Sequence, residues 1–359
     1  HVPIALAGGA TGAVGDPSGK SAERNLLTPE TLAANIASVK EQLRRLLDFE
    51  TTKNPARLLD NADWTRDVTL LDFLRDIGKH FPVNRMLARD VVRNRLDDGI
   101  SYTEFSYILL QSMDYLHLHR EHGVSLQLGG SDQWGNITGG VELVRRADGE
   151  RVHAFVTPLV TRADGTKYGK SEGGALWLDP EMLSPYAFYQ FWLNVEDEKV
   201  GELLRLFTFL DRARIEELEA AHAEKPFLRA GQKALAEEMT TLVHGAQETA
   251  RIQAASAALF GGGDMAELSP DTLGAALRET GVLRLESAGG LPSVVDLLVE
   301  TGLAKSKGDA RRTVGEGGAY LNNVRVEDPD RVPGADDLLG GTWLVLRKGK
   351  KSFKGVEVV

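Results

Sequence analysis

Leu126-Gln127-Leu128-Gly129-Gly130-Ser131-Asp132-Gln133-Trp134-Gly135-Asn136-Ile137-Thr138 packs an apolar run of strand length, a tight glycine turn and a set of polar residues into consecutive positions. A strand that turns through glycine into a helix start is where α/β folds place ligands, because the free N–H groups of the helix end lie beside the end of the strand. In such a turn Asp132 can pair with ribose hydroxyls and Gln133 with a carboxylate.

The same texture extends in both directions. Residues 2–7 read as a buried strand, and Thr28-Pro29-Glu30 as an N-cap with proline at the first helical position, opening a helix to about Phe49. Tyr102 to about Glu121 reads as a second helix, with short strands at Val124–Leu128 and Phe155–Val160. Short strands alternating with helices predict an α/β domain. From about Pro185 the pattern becomes helix after helix, at Tyr186–Leu193, Asp197–Phe209, Arg212–Glu224 and Phe227–His244. Gly261-Gly262-Gly263 interrupts it, and Ala288-Gly289-Gly290 marks a linker. Beyond Leu291 two helices, a turn and short strands follow, ending at Trp343–Leu346 and Val356–Val359.

The 359 residues exceed one ordinary core, and 42% apolar with 26% charged residues is a globular composition. No cysteine is present, which excludes disulfides and thiolate metal sites within this chain. No apolar run reaches the roughly 18–20 residues of a membrane helix, and the start has no signal-peptide pattern, so no membrane association and a cytoplasmic location are expected. The net charge of −10 opposes a polyanion-binding role for the whole surface, yet Arg347-Lys348-Gly349-Lys350-Lys351-Ser352-Phe353-Lys354 is basic throughout. A basic module on an acidic body suits a protein that grips a polyanion at one end.

Gly8-Gly9-Ala10-Thr11-Gly12-Ala13-Val14-Gly15-Asp16-Pro17-Ser18-Gly19-Lys20 invites a phosphate-binding reading. A P-loop, and with it a P-loop kinase, fails on spacing: the glycine needed five residues before Gly19 is Val14, and G-x-G-x-x-G is absent too. Asp16, Lys20 and Arg24 nevertheless combine an acid that can hold an ammonium with two bases that can hold a pyrophosphate. On the helix from Tyr102, the residues Tyr107, Gln111 and Asp114 share one face among dense apolar neighbours. They form either a solvated stripe or the wall of a polar pocket, where a carboxylate needs a donor to satisfy it. His117, His119 and His122 do not share a face, so no metal site is expected there. Downstream, Asp164-Gly165-Thr166-Lys167-Tyr168-Gly169-Lys170-Ser171 carries two lysines in a Gly/Ser-rich loop, either an exposed turn or a phosphate clamp.

Taken together these strings resemble the bacterial tyrosyl-tRNA synthetases of class I. Lys167-Tyr168-Gly169-Lys170-Ser171 is similar to that family's K-M-S-K-S signature in its K-F-G-K-S form. Gly129–Asn136, the glycine loop from Gly8 to Lys20, and Tyr107-x-x-x-Gln111-x-x-Asp114 resemble three further motifs, in family order.

The resemblance implies a Rossmann-like parallel-sheet catalytic domain at 1–182, an all-α anticodon-arm domain at 183–288 and a small α+β S4-like RNA-binding domain at 289–359. It implies activation of L-tyrosine with ATP, carried as its Mg2+ complex without a tightly bound cofactor, then transfer to tRNA(Tyr), in a homodimer. Asp114 would meet the phenolic hydroxyl, and Asp16, Tyr107 and Gln111 the ammonium. Gln133 would lie near the substrate carboxylate, with Asp132 and the backbone of Gly130 at the ribose. Lys20, Arg24, Lys167, Lys170 and Ser171 would handle the phosphates. Lys305, Lys307, Arg311, Arg312, Lys350 and Lys351 would face RNA, with the hairpin Gly317–Val326 beside them.

Three departures stand out. Met113 occupies a place where many relatives carry an aromatic residue, which puts packing rather than recognition in question, and Tyr168 replaces the usual phenylalanine. The family's H-x-G-H string lies upstream of the glycine loop and occurs nowhere in these residues. A chain that opens in mid-strand at His1 is accordingly expected to be preceded by a further segment, including a hydroxyl-binding tyrosine. That absence also favours the alternative of a non-catalytic RNA-binding protein with a synthetase-like body. A tryptophan enzyme is a third reading, opposed by an acid aimed at the tip of the substrate ring.

Overall fold

The computed structural model describes residues 1–16, 27–97, 99–166, 176–261, 265, 268–286, 290–349 and 352–359. The chain forms two compact units, His1–Thr161 and Arg162–Val359, both mixing helix with strand and mostly helical.

In the first unit, β1 (Ile4–Ala7) pairs in parallel with β2 (Arg57–Asp60), and β3 (Leu126–Gly130) with β4 (His153–Thr157). Parallel neighbours need a crossover, and each pair has a helical one. Between β1 and β2 run α1 (Thr11–Val14) and α2 (Pro29–Leu46), whose N-cap Thr28 accepts from the Thr31 N–H at 3.3 Å. After β2 come α3 (Ala62–Thr65) and the short turns α4 (Leu70–Asp72), α5 (Val83–Leu87) and α6 (Asp90–Arg93).

Then α7 (Tyr102–His122) runs through the unit, started by the Ser101 N-cap on Glu104 and stopped by Gly123 at φ 65°. Between β3 and β4, α8 (Trp134–Asp148) packs against α7 and both strands. The core lies mainly between α7 and α8: Ile108, Leu109, Met113, Tyr115 and Leu116 meet Leu143, Val144 and Val152. Gly140 is required there, since a Cβ would stand 2.8 Å from the Tyr115 ring. Buried Tyr115 keeps its hydroxyl satisfied by donating to the His153 carbonyl at 2.7 Å, and burial raises its pKa to about 12.

β3 begins two residues later and β4 two residues earlier than expected, because pairing begins where the His153 N–H meets the Ser125 carbonyl at 2.8 Å. The register is a property of the partner strand, which local composition does not encode.

In the second unit, α9 (Pro185–Leu193), α10 (Val200–Phe207), α11 (Arg212–Glu224), α12 (Ala230–His244), α13 (Ala246–Gly261) and α14 (Pro270–Arg278) precede β5 (Val282–Leu285). The helix expected over Phe227–His244 is divided: Pro226–Leu228 is a 3-10 turn, and Arg229 at φ 52° interrupts the hydrogen-bond ladder before α12. α15 (Val294–Glu300) and α16 (Lys307–Gly315) follow, then β6 (Ala319–Leu321), β7 (Val324–Arg325), β8 (Trp343–Lys348) and β9 (Ser352–Val358).

The five strands form one sheet in the order β5-β9-β8-β6-β7, antiparallel except for β5 against β9. The β6–β7 hairpin turns through Asn322 and Asn323, both left-handed (φ 50° and 65°), which asparagine tolerates better than other side chains. Val295, Leu297, Leu298, Val314, Leu344, Leu346 and Val356 fill the space between α15, α16 and the sheet. α14 seals another part of it: a Cβ at Gly274 would lie 2.6 Å from the Trp343 ring, and one at Gly355 would lie 2.8 Å from Leu277.

Candidate active site

The ends of β1 and β2, with the middle of α7, carry one connected polar network. β2 ends in Asp60, whose Oδ1 accepts from the N–H groups of Gly9 (3.1 Å) and Ala62 (3.0 Å), while Oδ2 pairs with Lys40 of α2 at 2.9 Å. Burial alone would raise the Asp60 pKa, but the Ala62 N–H, Lys40 and the Gly9 N–H outweigh it and hold it below the usual range. Gly9 has to be glycine, since a Cβ there would overlap the Asp60 carboxylate.

The next residue, Asn61, is 1% exposed and uses both ends of its amide. Oδ1 accepts from the Ala10 N–H at 2.7 Å, and Nδ2 donates to Thr11 Oγ1 and Asp114 Oδ2, each at 2.9 Å. Trp64 of α3 donates its indole N–H to the other oxygen, Asp114 Oδ1, at 2.9 Å.

Asp114 is 2% exposed, and burial pushes its pKa up to about 6 while the Asn61 and Trp64 donors pull against that shift. Both donors, the Asn61 amide and the Trp64 indole, are neutral, so they fix the carboxylate without cancelling its charge. Each of its oxygens keeps a lone pair for a further donor. Tyr107 and Gln111 lie on the same helix, with Tyr107 buried and Gln111 half-buried.

A second polar group stands at the end of β3. Gln133 Nε2 donates to Asp16 Oδ2 at 2.6 Å, and Asn136 Nδ2 reaches Asp16 Oδ1 at 3.4 Å and Gln133 Oε1 at 3.2 Å. The backbone runs close beneath two side chains here: a Cβ on Gly129 would sit 2.9 Å from Ile137 Cδ1, and one on Gly130 would sit 2.8 Å from Asp132 Oδ1. The Ser131–Gln133 turn therefore brings Asp132 onto the backbone at the strand end, beside Gln133.

Asp16, Tyr107, Gln111, Asp114, Gly130, Asp132 and Gln133 thus fall into two groups, one around Asp114 on α7 and one around Asp16 at the end of β3. Lys20, Arg24, Lys167, Lys170 and Ser171 lie outside the described residues, as do Lys350 and Lys351. In the second unit Lys307 pairs with Asp296 (2.6 Å), Arg311 with Asp330 (2.7 Å) and Arg312 with Asp309 (2.9 Å), while the Lys305 N–H donates to Asp309 (3.2 Å). All three side-chain pairs are at the surface, where such contacts exchange readily for other anions.

Asn61, Trp64, Thr11 and Asn136 were not singled out from the sequence. Only a strand ending in Asp60-Asn61, followed by a helical turn carrying Trp64, could have pointed to the first two. The histidines of α7 are accounted for locally: His117 lies against Trp64, His119 Nδ1 donates to the Val124 carbonyl at 3.0 Å, and Arg57 donates to His122 Nδ1 at 3.1 Å.

Residues 1–261 match the family described as tRNA synthetases class I (W and Y), and residues 278–356 match a tyrosine–tRNA ligase SYY-like C-terminal domain. A tyrosine–tRNA ligase of Streptomyces coelicolor is 55% identical over 361 aligned residues, covering 100% of this chain and 84% of the relative. This chain belongs to the tyrosine–tRNA ligase family. A second tyrosine–tRNA ligase, from Nocardia farcinica, is 56% identical with 99% and 84% covered. The C-terminally truncated mitochondrial tyrosyl-tRNA synthetase of Aspergillus nidulans superposes with a TM-score of 0.63 at 32% identity, over 70% of this chain and 74% of that one. Family membership makes the first part of the chain a class I synthetase catalytic region with a C-terminal domain behind it. No helix among the described residues is long and apolar enough to cross a membrane.

Proposed function

We propose that this protein activates L-tyrosine with ATP to tyrosyl-adenylate and pyrophosphate, then transfers tyrosine to the 3′ end of tRNA(Tyr). The observation that carries the reading is Asp114: a buried carboxylate, fixed by two neutral donors, with acceptor capacity to spare on a helix that also bears Tyr107 and Gln111. A phenolic hydroxyl is the donor such an acceptor selects. Phenylalanine would leave it unpaired in a buried place, and tyrosine against phenylalanine is the standard illustration of this kind of discrimination.

Asp16, with Tyr107 and Gln111, takes the ammonium, and Gln133 orients the substrate carboxylate. Asp132 and the close backbone of Gly130 take the ribose. Lys20, Arg24, Lys167, Lys170 and Ser171 receive the phosphates, with Mg2+ arriving as part of the ATP complex. Attack of the tyrosine carboxylate on the α-phosphorus needs no covalent catalyst. Alignment of the two substrates and stabilisation of charge growing on the leaving pyrophosphate supply the rate. Lysines that bind the transition state better than ATP itself raise turnover rather than mere affinity.

The finer architecture belongs to the same proposal: a Rossmann-like layout to about residue 182, an anticodon-arm domain to 288 and an S4-like RNA-binding domain beyond. Lys305, Lys307, Arg311 and Arg312, with Lys350 and Lys351, offer charge to RNA phosphates, which suits recognition by shape. A symmetric homodimer in the cytoplasm completes the reading.

Incubating the full protein with ATP, tyrosine and labelled pyrophosphate tests it. Tyrosine-dependent exchange of label into ATP is expected. Its absence, with tRNA binding retained, would establish a non-catalytic RNA-binding protein instead.

A further inference from the structure

The indole of Trp64 is held against α7 at two points. Its N–H donates to Asp114 Oδ1 at 2.9 Å, and its face lies on the imidazole of His117, with ring centroids 4.3 Å apart and planes 14° from parallel. The two contacts follow from two matched spacings. Asp114 and His117 are three residues apart on one face of α7, and Asn61 and Trp64 are three apart across the start of α3. The pairs oppose each other, so Asn61 and Trp64 each meet one oxygen of Asp114 while His117 closes over the indole.

One hydrogen bond fixes one point of an indole, and the ring can still pivot about it. A flat surface on the ring face fixes the plane, and with it the line from the N–H to Oδ1. The direction of the Asp114 carboxylate is then set by Asn61 on one side and, through Trp64, by His117 on the other. Burial lowers the pKa of His117, with Glu121 raising and His122 lowering it, and Arg57 is engaged with His122 Nδ1 at 3.1 Å. His117 in turn lies edge-on to His122 with centroids 6.0 Å apart.

We infer that His117 is a positioning residue for substrate selection: it holds the Trp64 indole in the plane that aims the Asp114 carboxylate at the substrate hydroxyl, without touching substrate itself. The inference rests on the reading of Asp114 given above.

The test compares His117→Ala, His117→Leu and His117→Phe in the full protein. Leu fills the volume if Ala fails to fold, and Phe restores a flat face. The first readout is the indole N–H resonance of Trp64 in protein labelled with 15N-tryptophan, identified among five tryptophans by its loss in Trp64→Phe. Ala and Leu are expected to shift or broaden it, and Phe to leave it in place.

The second readout is the tyrosine-to-phenylalanine ratio of kcat/KM in pyrophosphate exchange. It should fall roughly tenfold in Ala and Leu, the scale of one lost ring-stacking contact, mainly through the KM for tyrosine, and recover in Phe. An unmoved resonance in Ala and Leu overturns the inference, as does a moved resonance with an unchanged ratio or a Phe variant as impaired as Leu. Absence of tyrosine-dependent exchange in the wild-type protein would instead overturn the assignment of the pocket, and the resonance would still report whether His117 sets the indole.

Discussion

At the scale of residues, Asp114 concentrates the chemistry. Its pKa stands at about 6 against an ordinary 3.8, so between those values the folded protein holds a proton that the unfolded chain has lost. The raised acid thus costs stability as pH climbs from 3.8 to about 6, and the cost stays constant above that range. A hydroxyl that donates to the carboxylate prefers the ionised form, whereas phenylalanine has no donor and prefers the neutral one. Selection of tyrosine over phenylalanine should therefore weaken as pH falls through about 6, which exchange assays with both amino acids across that range will show. A flat ratio would remove Asp114 from recognition.

Gly9 is the other telling residue, because the Asp60 carboxylate occupies the space of its missing side chain. Gly9→Ala is expected to destabilise the protein by about 1–3 kcal/mol, as overpacked sites do, measured by urea denaturation. It should also disturb the Ala10 contact with Asn61 and raise the KM for tyrosine.

Among the elements, α7 carries the site and needs a fixed starting point. Its first turn is anchored by Glu104, 4% exposed, which meets Arg95 at 2.6 Å just beyond α6. Removing one partner of such a pair strands the other charge away from water. Glu104→Ala should cost on the order of 3 kcal/mol or more in chemical denaturation. The double change Arg95→Met with Glu104→Leu should recover much of that loss, and a double variant as unstable as the single one would refute the account.

Across the molecule, contacts join the parts of Arg162–Val359 into one compact unit. β5 lies before residues 287–289 and yet completes the sheet built from residues beyond them, by pairing Val282–Leu285 with β9. Asn323 in the hairpin turn donates to the Ala258 carbonyl of α13 at 2.9 Å, and Arg278 of α14 lies 5.3 Å from the centroid of the Trp343 ring. Hydrogen exchange should therefore show α14 and β8–β9 opening together. Gly274→Val, which drives a side chain into Trp343, should lower the protection of both segments. Protection that falls in only one of them would mean the two parts are separately stable.

The sequence by itself determined the local elements with strong signals and the residue types of the site. Thr28-Pro29 starts α2, and Tyr107, Gln111 and Asp114 fall on one helix because a 3.6-residue period puts them there. β2, β5 and α13 carry little periodic signal of their own, being four-residue strands and an alanine-rich helix, and α14 is a short nine-residue helix behind the glycine run at 261–263. Only the tertiary structure decided that Asp114 meets Asn61 and Trp64, residues more than forty positions away. Parallel pairing of β1 with β2 places Asn61 at the end of one strand beside the glycine loop that follows the other, and the contacts of Trp64 with Asp114 and His117 do the rest. Local sequence can name an acid on a helix. Which donors face it, and hence its pKa and its selectivity, depends on which distant strands share a sheet.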